Sequence, residues 1–314
     1  MIAKKITDRI SKTSNIPAEF LNERPPFPGR AKIEITNRCN LRCFFCQHTY
    51  DQGRNFDINP QLLFRILDEL KELNVKEVGL FWMGEPLLNK KLPDYIAYAK
   101  KIGIPYVFIT TNGILANQET LVNMYNAGLD SMKFSINASS RKKYKEMCGV
   151  DAFDKVKSNI KTAHRLRKGR DTPSIYASSV FDPNDEDEYQ CIADFVAPYV
   201  DQHYPLHLYG RRKLKTEEVE SSIAANAEKD EGPLDSMLPC WSLFTVPHIS
   251  CDGHLSACFC DSDARLFMGD LNLLSFMDAW HSEKFCALRR HHLNRNVAGT
   301  VCKKCVAFNK SNDF

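Results

Sequence analysis

The 314-residue chain contains no run of 18 apolar residues, and over residues 1–15 it has no apolar segment of the kind that opens an exported protein. These absences argue against a membrane span and against secretion, and a cytoplasmic location is expected. Charge of one sign is also scarce. The 42 Lys and Arg against 39 Asp and Glu leave a net charge of +3, too small to argue for nucleic acid as a partner. Without a secretory signal, the 12 cysteines point away from disulfides and towards metal or redox use. What remains, 43% hydrophobic and 26% charged residues, is the composition of an ordinary globular protein with a sizeable core.

The cysteines are unevenly spread. Three fall at Cys39, Cys43 and Cys46, seven lie between Cys240 and Cys305, and Cys148 and Cys191 stand alone in helix-like segments, where a buried small hydrophobe is the expectation. In Cys39-Asn40-Leu41-Arg42-Cys43-Phe44-Phe45-Cys46 the spacing, just after an apolar run at 31–36, wraps three corners of one metal cluster and leaves the fourth open. Thiolates suit iron–sulfur clusters or zinc by softness. A structural zinc site normally closes with a fourth local ligand, and His48 is near enough in sequence to close this one.

Apolar strand-like runs recur near 31–36, 77–82, 105–110, 131–136, 174–181 and 204–209. Helical patterns separate them at 60–73, with Asn59 as cap and Pro60 in the first turn, and at 92–102, 118–127, 153–168 and 185–196; Gly128 and Gly169 stop two of these. Six β-then-α units in sequence predict parallel strands joined by right-handed crossovers. Residues 31–210 are too few for an eight-unit barrel, so the expected fold is α/β, a partial (β/α)6 TIM-like barrel. Residues 1–30 read as a polar arm ending in Pro25-Pro26-Phe27-Pro28-Gly29, 211–239 as a linker, and 240–314 as a small cysteine-rich domain.

The 39–46 stretch resembles the signature of the radical S-adenosylmethionine (SAM) superfamily, with Phe45 at its aromatic position. The resemblance implies a 4Fe-4S cluster on Cys39, Cys43 and Cys46 whose free iron is chelated by SAM, and a 5′-deoxyadenosyl radical that takes a hydrogen atom from the substrate. Met83-Gly84-Glu85-Pro86 is similar to the family's G-G-E-P turn, which holds the SAM amino group, with Met83 in place of the first Gly. Thr111-Asn112-Gly113 is similar to the family's T-N-G turn. Ser135-Ile136-Asn137 is similar to its ribose-binding segment, with Asn137 where Asp is usual. Ser178 and Ser179, on the fifth strand, are further candidates for SAM contact.

The C-terminal cysteines follow a second pattern. Cys240, then Gly253 to Cys258 across an Asp252-Gly253 hairpin turn, then Cys302-Lys303-Lys304-Cys305 bring four thiolates together. With the helix expected around Trp280, over 276–289, this resembles the SPASM/twitch extension of radical SAM enzymes in its single-cluster form, and implies a second 4Fe-4S cluster on Cys240, Cys258, Cys302 and Cys305, with zinc the alternative. Cys251 and Cys286 are left over. Cys260, two residues past an expected ligand, is a spare ligand, a packed residue or a hydrogen-atom donor to substrate.

Residues 141–170 carry eleven Lys/Arg against three Asp/Glu, a solvated helix face or a dock for an acidic donor; a flavodoxin- or ferredoxin-like electron donor is the expected protein partner. Five acids within 182–188 read as a capped helix start. With only an arm before the first strand, no leader-peptide-binding domain is expected. That favours a small polar substrate such as a sugar, aminocyclitol or nucleotide sugar, with Arg211 and Arg212 as anion contacts. Dehydrogenation and epimerisation are both open, peptide or protein modification is the runner-up, and a two-site zinc interaction protein is the alternative from another class.

Overall fold

In the computed structural model, which describes residues 5–46, 55–181, 185–207, 238–261 and 264–305, a short helix α1 (Ile6–Ser14) precedes six strands that pair in parallel in chain order. They are β1 (Arg30–Ile33), β2 (Glu77–Gly79), β3 (Tyr106–Thr111), β4 (Ser131–Ser135), β5 (Ser174–Phe181) and β6 (Gln202–His207). The crossovers carry α2 (Pro60–Glu72), α3 (Leu92–Lys101), α4 (Gln118–Asn126), α5 (Arg141–Cys148), α6 (Phe153–Arg167) and α7 (Glu186–Val196). The sheet has two free ends, so the protein is a partial (β/α)6 barrel.

Local chemistry sets these elements. Helix α2 starts where the Asn59 side chain accepts from the amides of Gln61 and Leu62, at 2.9 and 3.2 Å, ahead of a proline suited to the first turn. It buries Leu62, Leu63, Ile66, Leu67 and Leu70, a stripe at helical spacing, each side chain contributing about 1.5–3 kcal/mol. Asp185 caps α7, and Glu188 in its first turn reaches back to the amide and hydroxyl of Ser139, both at 2.6 Å. The acidic run therefore fastens the loop after β4 as well as starting a helix. On the inner face, the two-residue period turns Lys32, Phe108, Lys133, Tyr176 and Tyr204 into a cavity of about 850 Å³ that fills the barrel.

Three features depart from the sequence reading. Residues 6–14 lie in α1, which helps wall the cavity, whereas the sequence suggests a polar arm. Its Arg9 is buried among rings, 4.1 Å from the centre of Tyr106 and 4.5 Å from that of Phe108, and pairs with Glu77 at 2.8 Å. A lone arginine among polar residues gives no sign of its partner 68 positions on. Second, α5 interrupts the segment between β4 and α6, started by the Ser140 side chain and ended by Gly149; its mostly charged sequence hides it. Third, the C-terminal cysteine module continues the barrel's own sheet. Strand β7 (His248–Ile249) pairs in parallel with β1, and β8 (His254–Ser256) and β9 (Phe267–Asp270) extend the sheet antiparallel, β7 and β8 meeting at the expected Asp252-Gly253 turn.

The helix expected over 276–289 is two, α9 (Phe276–Trp280) and α10 (Glu283–Leu293), with Ser282 capping the second; α8 (Ser242–Thr245) lies ahead of β7. Arg289 is fully buried between Trp280 and Phe285, 4.0 and 3.8 Å from their ring centres, and donates to the carbonyls of Leu243, Trp280 and Glu23. Trp280 donates to the Pro25 carbonyl at 3.0 Å. The segment before β1 is thus bolted to the C-terminal module. Among the described residues no helix is long and apolar enough to cross a membrane.

Breaking the α1 contact leaves Glu77 under-compensated in a mostly buried setting. Arg9→Met is expected to cost about 2–4 kcal/mol in urea unfolding, and Arg9→Met with Glu77→Gln less than the sum of the two single changes.

Candidate active site

The three N-terminal cysteines sit on the loop after β1, at the C-terminal ends of the strands. Backbone contacts shape it: Arg42 N–H donates to Cys148 O at 3.0 Å, Phe44 N–H to Met147 O at 3.1 Å, and Cys46 N–H to Cys43 O at 3.0 Å. Gly149 lets α5 come this close, since a Cβ there would stand 3.0 Å from the Arg42 carbonyl and φ is +77°. Arg38 grips both oxygens of Asp57 at 2.7 Å, and Asn112 donates to the Asn40 side chain at 2.7 Å. Burial pushes the Cys39 thiol up to about 12, and a hydrogen bond with Cys148, then burial, raises Cys43 further. Such thiols ionise when a soft cation takes the place of the lost water. Phe45 lines the barrel cavity.

The turn after β2 is built against this loop. A Cβ at Gly84 would overlap the Thr36 carbonyl oxygen and stand 2.9 Å from that of Arg38, and Glu85 N–H donates to Arg38 O at 2.8 Å. Space, not backbone conformation, demands glycine here. Met83 needs no left-handed geometry; among the described residues that geometry falls, outside glycine, at Asn74, Ala264 and Arg295. Glu85 is 3% exposed and accepts from Thr111 Oγ1 and Asn112 N–H at 2.7 Å each and from Leu87 N–H at 3.0 Å. Burial outweighs these bonds and lifts it to about 7. Pro86 begins a short 3-10 turn, Pro86–Leu88.

Two partnerships escape sequence reasoning. Thr111 and Asn112, on a turn that any Asn-Gly pair would predict, anchor Glu85. Glu34, just past β1, is buried and accepts from the amides of Met83, Gly84 and Cys251 at 3.1, 3.3 and 3.3 Å. Burial raises its pKa. It joins the 83–86 turn to the C-terminal module; a lone Glu at a strand end carries no signal of that.

Across the sheet, Ser135 and Ser178 are register partners on β4 and β5. The buried Ser178 hydroxyl has no hydrogen-bond partner among the described residues, whereas Ser179 is bonded to Ile136 O and to His203. Asn137 spends its carbonyl on the Val180 amide at 2.9 Å, leaving its NH2 group.

The second thiol set gathers beside the same cavity. Cys240, Cys258, Cys302 and Cys305 feel one another electrostatically, and burial raises Cys240 and lifts Cys302 to about 12. Cys240 N–H donates to His292 at 3.2 Å, and the Cys302 amide to Thr300 at 3.2 Å. Cys260 joins this group: its amide donates to the Cys258 sulfur at 3.3 Å and its thiol hydrogen-bonds there too; that bond, with burial, raises Cys260, while the bonds from Cys260 lower Cys258 against its burial. Cys260 also lines the cavity. Cys251 is buried against Glu34, and Cys286 is buried in α10. Among the described residues no three His, Cys, Asp or Glu side chains close around one point, as a single zinc at about 2.3 Å from each sulfur requires. Arg211, Arg212 and His48 lie outside the described residues.

Residues 33–196 match the model of the radical SAM superfamily, and residues 240–306 that of an iron–sulfur cluster-binding domain, SPASM. The chain belongs to the radical SAM superfamily and carries a C-terminal SPASM domain, and its cofactors are SAM and 4Fe-4S clusters. Similar curated proteins include a probable GTP 3′,8-cyclase of Saccharolobus islandicus, 34% identical over 132 residues, 42% of each chain. Another is a probable GTP 3′,8-cyclase of Metallosphaera sedula, 29% identical over 64% of each. The chain thus spans less than two thirds of the length of these relatives. Among solved structures, Streptococcus suis SuiB bound to S-adenosylmethionine superposes with TM-score 0.67 at 17% identity, over 84% of this chain and 68% of that one. BtrN in complex with AdoMet and 2-DOIA superposes with TM-score 0.56 at 16% identity, over 89% and 92%.

Gly84→Ala is expected to push the 83–86 turn off the cysteine loop. Equilibrium dialysis with SAM is expected to show at least a tenfold loss of affinity, with a lowered melting temperature; unchanged SAM affinity would contradict the role given to this close approach.

Proposed function

We propose that Cys39, Cys43 and Cys46 hold the SAM-binding cluster and that Cys240, Cys258, Cys302 and Cys305 hold the auxiliary one, the catalytic barrel spanning 31–210 and the auxiliary domain 240–314. The observation that carries this reading is that Phe45, between two cysteines of the first set, and Cys260, two residues from one of the second, line one cavity. When bound, SAM and the clusters supply a 5′-deoxyadenosyl radical that takes a hydrogen atom, and a one-electron acceptor beside the substrate.

The chain's own residues fit these groups. Buried thiols with raised pKa favour a positively charged iron centre over water. Gly84, Glu85 and Pro86 present a tight turn with a buried carboxylate suited to an ammonium group, the bound amine drawing Glu85 back to its ionised form. The Ser178 hydroxyl, without a partner among the described residues, and the NH2 group of Asn137, with Ser135 beside them, suit a ribose or carboxylate. Phe45 supplies an apolar wall.

The substrate reading is a small polar molecule enclosed in the lumen. About 850 Å³ is in the range of small-ligand sites. Epimerisation is favoured over dehydrogenation by Cys260, which lines the cavity and can return its thiol hydrogen atom to a substrate radical, leaving a cysteine radical that one electron from the external donor and one proton from solvent turn back into the thiol. Peptide modification is the second reading, supported by the fold shared with SuiB, which has been solved bound to the precursor peptide SuiA. A flavodoxin- or ferredoxin-like donor would supply electrons.

Anaerobic reconstitution is expected to load about eight iron per chain, falling to about four in Cys43→Ala, with 5′-deoxyadenosine formed by the first and not the second. A colourless protein with stoichiometric zinc would overturn the reading. Cys260→Ala is expected to consume SAM yet give no epimer; normal epimer yield would remove Cys260 from the mechanism.

A further inference from the structure

Among the described residues the lumen carries an excess of positively charged side chains. Arg9, Arg30, Lys32 and Lys133 all line it, against one carboxylate among the described residues, Glu77. Glu77 is engaged by the two arginines, with Arg9 at 2.8 Å and Arg30 at 4.0 Å. The lysines are left over. Lys133 Nζ donates to the Tyr204 hydroxyl at 3.0 Å, and Lys32 Nζ stands 5.6 Å from the centre of the Phe81 ring; among the described residues neither has a carboxylate partner. His248, the register partner of Lys32 on β7, offers no compensating charge: it is fully buried between Trp82 and Phe259, and burial together with Lys32 holds its pKa well below the ordinary value.

Two ammonium groups facing one cavity, with no carboxylate partner among the described residues, are costly. Burial, with Lys133 the next contributor, lowers Lys32 to about 8. A ligand that brings two negative charges turns that cost into charge-assisted hydrogen bonds. A monocarboxylate neutralises one lysine; a phosphate ester, at about −1.5 to −2 near neutral pH, neutralises both.

We propose that Lys32 and Lys133 form a phosphate-binding pair inside the lumen, and that the substrate is a phosphate-bearing small molecule such as a sugar phosphate, a nucleotide sugar or a nucleotide. This rests on the reading of the lumen as the substrate site. The pair lies between the Arg9–Glu77 contact and the cysteine loops, so the phosphate end points towards α1 and the remainder reaches the residues assigned to SAM and Cys260. The specificity-determining residues are then on β1 and β4, within the barrel itself.

The test is calorimetric titration of the reconstituted full chain, saturated with SAM, against inorganic phosphate and against acetate at constant ionic strength. One phosphate per chain is expected, with acetate at least tenfold weaker. Lys32→Met and Lys133→Met are each expected to weaken phosphate at least tenfold, and Lys32→Met to raise the melting temperature at pH 7, since it removes an uncompensated charge. Lys133→Gln, which keeps a donor for Tyr204 without the charge, serves if the methionine variant does not fold. No phosphate binding, equal binding of acetate, unchanged binding in both lysine variants, or displacement of phosphate by SAM overturns the proposal. Formation of 5′-deoxyadenosine without substrate is measured in parallel: its absence from the wild type overturns the radical SAM assignment of the cysteines, whatever phosphate does.

Discussion

One buried carboxylate holds the two halves of this protein in register. Glu34 leaves the end of β1 and accepts from the amides of Met83 and Gly84 on one side and Cys251 on the other. The first two belong to the turn beside the N-terminal cysteines, the third to the strand module that carries the C-terminal ones. Three donors on one carboxylate offset much of the cost of its burial. The pairing of β1 with β7 runs alongside it, so the loop of Cys39 to Cys46 and the hairpin leading to Cys258 spring from neighbouring strands of one sheet. A domain joined by a linker alone would hinge; this one shares the backbone ladder of the barrel.

The barrel, its open form and the place of the cysteine loop were legible because each rests on local chemistry. Asn59 before Pro60, the apolar stripe from Leu62 to Leu70 and glycines after α4 and α6 declare themselves within a few residues. Gly84 was legible as part of a motif, although its reason, the carbonyl of Thr36, lies in another element. What stayed hidden is non-local. Arg9 reads as a surface charge until Glu77 and Tyr106 surround it, and β7 reads as half a hairpin until Lys32 is seen beside His248. The roles of Glu34 and Asn112 depend on partners distant in sequence. No periodicity encodes such pairs, because each is a single polar residue whose meaning lies in its neighbour.

The barrel's polar interior is unevenly compensated. Arg9, Arg30 and Glu77 cluster beside α1, Lys32 and Lys133 line the cavity with Tyr204, and Ser135 and Ser178 are register partners further along β4 and β5. Glu77 is held by both arginines, whereas among the described residues other groups hold capacity in reserve: an unpartnered hydroxyl on Ser178 and two ammonium groups without carboxylates. Reserved polar capacity in a buried space is destabilising when empty, and proteins retain it at sites that bind.

The fastening of the chain's beginning to its end has a bearing on assembly. Trp280 and Arg289 reach back to Pro25 and Glu23, and Thr245 to Thr13, across more than 230 residues of sequence. Contacts of such separation form late, because the long loop between them must be closed first. On a chain emerging from its N-terminus, Arg9 can meet Glu77 and Tyr106 once the first strands exist, whereas Thr13, Glu23 and Pro25 must wait for the final helices. The joint between the chain's first segment and its C-terminal module is the part that only the complete chain can close.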